Sequence, residues 1–254
     1  MAVQDSTQRF SSRVADYVRS RPGYPPEVVQ MLREECGLTR DSQVADVASG
    51  TGIFTRLLLE NGNRVYGVEP NAEMRRAGED FLHAFPRFVS VGGTAEATTL
   101  ADHSVDLVTA AQAAHWFDPA RTRAEFLRIL KAGGWCVLLW NERRLDSTPF
   151  LREYEQLLRD YGTDYEDVRH EHTTSKINVF FAPSAHRERD FEVIQELDYQ
   201  GLQGRVLSSS YMPSPEHSKY EPMVHALRRL FDAHQQNGRV VIPYDTRVFY
   251  GRLP

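Results

Sequence analysis

The stretch Val44-Ala45-Asp46-Val47-Ala48-Ser49-Gly50-Thr51-Gly52 constrains this chain more than any other feature. It reads as a short apolar strand that ends in a turn of small residues. A helical pattern follows at once, carried by Phe54, Leu57 and Leu58. A second strand, Arg64-Val65-Tyr66-Gly67-Val68, then ends at Glu69. A strand, a glycine turn, a helix and a strand closed by an acid, within about 30 residues, describe a nucleoside-binding βαβ unit. The turn lets a ligand approach the backbone closely. The acid can accept hydrogen bonds from both ribose hydroxyls.

The same rhythm continues. Patterning predicts strands near 43–48, 63–69, 87–91, 105–111 and 134–140, with helices near 52–61, 71–83 and 119–131. Gly133-Gly134 is expected to end the last of these helices. Such alternation calls for a doubly wound parallel sheet with helices on both faces, an α/β fold. Upstream, residues 6–20 look helical, and Arg21-Pro22-Gly23-Tyr24-Pro25-Pro26 breaks that helix. Val28, Met31, Leu32 and Cys36 then mark a further helix, with Gly37 as its C-cap.

After Trp140 the rhythm changes. Residues 148–161 look helical through Phe150, Tyr154, Leu157 and Tyr161, and 162–190 is polar with weak periodicity. A strand is expected at 191–197 and a loop over 201–222, which holds three prolines and a serine run. A helix follows, with Met223, Leu227, Leu230 and Phe231 on one side and Gly238 at its end. Val240–Ile242 and Val248–Tyr250 make a last strand, with Pro243 a candidate break.

Which nucleoside the turn serves depends on its detail. A dinucleotide fingerprint needs a third small residue where Thr55 stands, and the Gly-Lys-Ser/Thr of a P-loop is missing. The observed pattern, Asp46-x-Ala48-x-Gly50-x-Gly52, resembles motif I of the class I S-adenosylmethionine-dependent methyltransferases, usually D/E-x-G-x-G-x-G. Ala48 departs from it. Alanine is acceptable there at negative φ and costs stability at positive φ. Glu69 lies 19 residues past Gly50, where that family's ribose-binding acid lies, and Pro70-Asn71 opens a helix with Asn71 as N-cap. Gly93-Thr94-Ala95-Glu96 resembles the family's adenine-contacting loop. Asp102–Val108 and Lys131–Gly134 resemble its entries to the fourth and fifth strands.

The resemblance covers residues 40–141. It implies a seven-stranded, mostly parallel sheet whose last strand is antiparallel. It also implies that Asp46, Ala48, Ser49, Gly50, Thr51, Gly52, Glu69, Pro70, Thr94, Ala95, Glu96, Ala111 and Gln112 bind S-adenosylmethionine. Ala111–Asp118, with Tyr17 and Arg21–Pro25, further resembles the branch containing trans-aconitate methyltransferases, which acts on small acids or metabolites, not polymers.

Methyl transfer is an in-line displacement that needs neither a metal nor a covalent intermediate. A carboxylate acceptor needs no base, whereas a phenol, thiol or amine would use one, and His115 is the candidate. Tyr17, Tyr24 or Trp116 could face the sulfonium as cation–π partners. Arg21 could pair with a cofactor or substrate carboxylate, or with a surface acid. Arg143 or Arg144 could anchor an acidic substrate bidentately, or lie in a solvated loop. Plainer readings stand beside these. Asp46 could accept backbone N–H bonds at the turn, Glu69 could be a surface helix cap, and Glu96 a solvated acid. His115 could be a pocket wall, and Trp116 and Phe117 simple packing. His170 and His172 lack further ligands at zinc-site spacing, so no metal is expected.

The net charge of −5 speaks against a broad nucleic-acid footprint. Cys36 and Cys136 match no metal or redox spacing and read as buried thiols. The N-terminus shows no apolar signal region, and Trp135–Trp140 is too short to span a bilayer, so the expectation is cytoplasmic. Together these readings predict one domain. Residues 1–39 would form cap helices, 40–141 the cofactor core, and 142–254 a substrate lid and the last strands. The expected activity is methyl transfer to a small molecule, at oxygen. An RNA or protein methyltransferase, a non-catalytic S-adenosylmethionine-binding protein and a nicotinamide enzyme are the rivals. The acceptor and the oligomeric state are not legible.

Overall fold

The computed structural model describes residues 20–165 and 173–254. The expected first helix with Tyr17, and the His170/His172 pair, lie outside the described residues. One sheet runs in the order β3-β2-β1-β4-β5-β7-β6. Its strands are β1 Gln43–Val47, β2 Arg64–Val68, β3 Phe88–Val91, β4 Val105–Ala111, β5 Leu130–Arg143, β6 Arg187–Leu197 and β7 Val240–Gly251. Strands β1 to β5 pair parallel. Strand β7 is antiparallel to both β5 and β6, as the expected fold requires.

The helices are α1 Glu27–Cys36, α2 Ile53–Glu60, α3 Ala72–Leu82, α4 Pro119–Ile129, α5 Pro149–Tyr161, α6 Thr173–Phe181, α7 Tyr199–Leu207 and α8 Tyr220–His234. Polar caps set several of their starts. Asn71 accepts from the N–H groups of Glu73 and Met74, and Asp118, Thr148 and Asp198 cap α4, α5 and α7. No helix among the described residues is long and apolar enough to cross a membrane.

Alternation along the strands builds two cores. Val44, Leu107, Val137 and Leu139 face α1 and α2, while Ala45, Val108, Cys136 and Leu138 face α4 and α6. A third core joins α5, α7 and α8 to Leu197, Ile242 and Tyr244. The sheet order reverses between β2-β1 and β4-β5. That switch point is where ligands lie in open α/β sheets.

Five expectations change. Residues 199–207 form a helix rather than a loop: Asp198 caps it and Leu202 and Val206 bury, while the prolines lie beyond its end. Gly201 and Gly204 weakened the helical pattern there. Gly133-Gly134 lies inside β5, at a register shift opposite Val105–Leu107, so α4 ends at Ile129. The polar 162–190 stretch contains α6 and the start of β6. Strand β7 passes unbroken through Pro243. The Pro243 carbonyl accepts from Arg144 N–H just past the end of β5, so the missing proline donor faces a side with no strand left to pair. Helix α8 also stops at His234, four residues before Gly238.

Candidate functional site

Strand β1 carries Asp46 into the interior, where it is 1% exposed. Its carboxylate accepts from Thr55 Oγ1 at 2.5 Å and Thr109 Oγ1 at 2.8 Å. The partners are hydroxyls of α2 and β4, not the backbone N–H groups of the plainer reading. Burial pushes the Asp46 pKa up to about 6; the two hydroxyls oppose the shift, and the charge of Glu69 adds to it.

The turn that follows is built from left-handed residues: Ala48 at φ +54, Gly50 at +56 and Gly52 at +84. Ala48 therefore occupies the conformation in which alanine is strained, at about 1–2 kcal/mol. A Cβ on Gly52 would lie 2.6 Å from Leu82 Cδ1, so any side chain there would have to displace that buried leucine. Ser49 N–H donates to Val68 O and ties the turn to β2. Thr51 is buried, and its Oγ1 has no hydrogen-bond partner among the described residues.

Glu69 is no surface cap. It is 7% exposed. Its Oε2 accepts from Gly50 N–H and its Oε1 from Asn71 N–H, each at 2.9 Å, across Pro70. Burial raises its pKa, and the two backbone donors partly offset this. A carboxylate offers about four acceptor positions, so about half its capacity stays open.

Thr94 pairs with Ala97 in a tight bridge, and Ala95 is in the core. The Glu96 carboxylate accepts from Asp118 N–H (3.1 Å) and Thr122 Oγ1 (3.3 Å), binding this loop to the start of α4. Ala111 ends β4. Gln112 turns left-handed at φ +59, and its amide donates to Asn141 O at 3.2 Å. Asn141 in turn donates to Gly23 O at 2.9 Å, drawing the segment before α1 across the ends of β4 and β5.

His115 and Trp116 lie on a single 3₁₀ turn, with rings 4.5 Å apart. Trp116 is 38% exposed. His115 lines a small cleft of about 20 Å³ walled by Pro119, Leu138, Trp140, Ile177 and Phe180. Phe117 packs edge-on to Phe126. Tyr24 meets Phe54, beside the glycine turn, edge-on at 5.1 Å. Arg21 Nη2 donates to Ser208 O at 2.9 Å. Arg144 is ion-paired to Asp245 and Glu192 and half exposed. The Arg143 side chain is only 8% exposed: its Nη2 lies 2.5 Å from Glu155 Oε2, and its guanidinium sits 4.9 Å from the Tyr154 ring centroid.

The structure thus gathers Asp46, Ala48–Gly52, Glu69 and Asn71 into one turn. Gln112 lies beyond the neighbouring strand, and Arg143 under a separate helical layer. Thr55 and Thr109, which fix Asp46, were not singled out from sequence. Thr55 carried a signal, since it breaks the dinucleotide fingerprint. Among the described residues, no group of three or more His, Cys, Asp and Glu is placed to hold a metal ion.

Comparison with known proteins agrees with this geometry. Residues 45–138 match a family model described as a methyltransferase domain. An uncharacterized methyltransferase of Mycobacterium tuberculosis is 34% identical over 247 residues, covering 96% of this chain and 95% of its own. A malonyl-[acyl-carrier protein] O-methyltransferase of Hamiltonella defensa is 24% identical, covering 91% and 78%. The solved structure of a candidate type II methyltransferase of Anaeromyxobacter dehalogenans superposes with a TM-score of 0.69 at 23% identity, covering 92% of this chain and 99% of that one. Near-complete coverage by a relative above 30% identity, on a sheet of this order and a turn of this form, makes the chain a member of the class I S-adenosylmethionine-dependent methyltransferases.

Proposed function

We propose that this chain moves a methyl group from S-adenosylmethionine to an oxygen of a small-molecule acceptor. The observation that carries the reading is the Glu69–Gly50 clamp. A buried carboxylate, pinned by two backbone N–H groups with lone pairs to spare, is chemically suited to accept from a ribose diol. The Thr51 hydroxyl beside it, without a partner among the described residues, also fits a polar ligand. S-adenosylmethionine, when bound, supplies the activated methyl on a positive sulfonium. Ser49, Gly50, Thr51 and Gly52 would line its path, and the free N–H groups opening α2 would favour its carboxylate. Asp46 acts through its threonines, by locking β1, α2 and β4 in register. Pro70, Thr94 and Ala95 would flank the base, with Glu96 holding their loop. Ala111 and Gln112 would border the methyl, with Tyr17, Arg21 and Tyr24 closing over it.

Holding an acceptor oxygen and the methyl carbon at ~3–3.5 Å, in line, can remove several kcal/mol of the barrier. If the acceptor is a hydroxyl, His115 is the nearest base; a carboxylate needs none. Trp116, from the same 3₁₀ turn, and Arg143, from the end of β5, would face the acceptor. The small-molecule reading draws on the enclosure of the strand ends. Gly23 bonds Asn141, Ser20 O accepts from Gln195, and Arg21 reaches Ser208, so chain before α1 is tied down onto the sheet and α7. These contacts favour a covered pocket, with residues 142–254 supplying the lid, over an open groove for a polymer. The oxygen reading draws on the O-methyltransferase relative. The test is incubation with methyl-labelled S-adenosylmethionine and a metabolite extract, separated by size. Label in the small-molecule fraction is the expected result, base-labile if the acceptor is a carboxylate and base-stable if it is a hydroxyl. Label only in RNA or protein would overturn the reading.

A further inference from the structure

Two arginines with buried side chains, Arg143 and Arg205, lie beneath the C-terminal helices beside a single carboxylate, Glu155, which pairs with the first of them. Arg205, on α7, is 8% exposed. Its Nε donates to Tyr244 OH at 3.1 Å and its Nη1 to Ser209 Oγ at 3.0 Å, both neutral oxygens. No carboxylate pairs with it among the described residues. Arg143 lies opposite Tyr244 in the β5–β7 register. It pairs with Glu155, whose other oxygen accepts from Arg159, and its Nη1 is buried without a partner among the described residues. Tyr165 OH donates to Glu155 at 2.7 Å, and the Tyr165 and Tyr211 rings lie 4.9 Å apart. Tyr154 feels both arginines, whose charges oppose the upward push of burial on its phenol. Among the buried groups described, Arg143 and Arg205 face Glu155 alone within walls of phenol rings, one positive charge in excess; Arg159, which also bonds Glu155, is 41% exposed and screened by water.

Buried charges are ordinarily paired, because neutral hydroxyls solvate a guanidinium without neutralising it. We infer that Arg205 and the open Nη1 of Arg143 hold a carboxylate of the acceptor, as an anchor separate from the atom that is methylated. One excess charge matches a monoanion. A phosphate dianion would overshoot it and face Glu155. The planar guanidinium fork also suits a carboxylate. The methionyl carboxylate of the cofactor is excluded by distance. Tyr244 is on β7, three strands from the turn after β1, about 14 Å at ~4.8 Å per spacing. This inference rests on the proposed small-molecule reading and sharpens it to acids carrying a second polar end.

The test uses the full chain saturated with S-adenosylhomocysteine, whose own binding is measured first by calorimetry. Failure of that first step would overturn the cofactor reading. With it in place, glutarate, glutaramide and inorganic phosphate are titrated into the native chain, Arg205→Met and Tyr244→Phe. Glutarate should bind the native chain at least 10-fold more tightly than glutaramide or phosphate. Arg205→Met should lose at least 10-fold of that affinity while keeping S-adenosylhomocysteine affinity within twofold. Its ligand-free Tm should rise, because an uncompensated buried charge is gone. If Arg205→Met does not fold, Tyr244→Phe carries the test, with an expected 3- to 10-fold loss for glutarate. Glutarate binding unchanged in both variants, preference for phosphate, or no preference for glutarate over glutaramide would each overturn the inference.

Discussion

Asp46 makes the stability of this protein depend on pH in a direction opposite to that of a salt-bridged acid. Its folded pKa is about 6, against the ordinary 3.8. About two units correspond to roughly 3 kcal/mol. The native state then holds the Asp46 proton more tightly than the unfolded chain does. Its contribution is fully present below pH ~4, is lost as pH rises through ~6, and is flat above. About 1.4 kcal/mol of that change should fall between pH 5 and 8. Asp46→Asn removes the titration and keeps the shape. The amide oxygen can accept from one threonine, and the amide N–H₂ can donate to the other hydroxyl once it rotates. The assay is urea unfolding of both proteins from pH 5 to 8. The stability of Asp46→Asn relative to the native chain should climb by about 1.4 kcal/mol across that range. In melting temperature this is about 3–6 °C for a chain of this size. Acids that do not feel the Asp46 charge cancel in the difference. A pH-independent difference, or one that falls with pH, would refute the claim that Asp46 is buried with only hydroxyl partners.

Three further outcomes are expected. Ala48→Gly relieves a left-handed Cβ but adds unfolded-state entropy, so it should stabilise by about 0.5 kcal/mol, read by thermal melting. Gly52→Ala should cost more than about 2 kcal/mol, because strain at φ +84 adds to the 2.6 Å approach of Leu82; urea midpoints would show it. Asn71→Ala strips the cap from two N–H groups of α3 and should lower stability by about 1 kcal/mol, seen as a fall in Tm of about 2–4 °C.

The central sheet was legible because its strands are buried on both faces and its turns are made of glycine and polar caps. Both signals are local. Asn71 and Glu69 were found this way. The threonine clasp on Asp46 was not, because Thr109 lies 63 residues away and only pairing of β1 with β4 brings it near. The same holds for Arg205, which met Tyr244 through 39 residues and the antiparallel turn of β7. Helix α7 was missed because its two glycines hide an apolar face that its tertiary neighbours complete. Ala48 is the reverse case: the departure from the glycine motif was visible, but its φ was not. The turn keeps its form with alanine in place, and the strain is carried by the bonds from Ser49, Gly50 and Gly52.

The most direct test is isothermal titration of S-adenosylmethionine into the native chain and Glu69→Gln, with melting curves to confirm that both fold. Losing a charged acceptor to a ribose hydroxyl is worth about 1.5–3 kcal/mol, so Glu69→Gln should bind about 10- to 100-fold more weakly than the native chain. Equal affinity for the two folded proteins, or no binding to the native chain at millimolar ligand, would contradict the account.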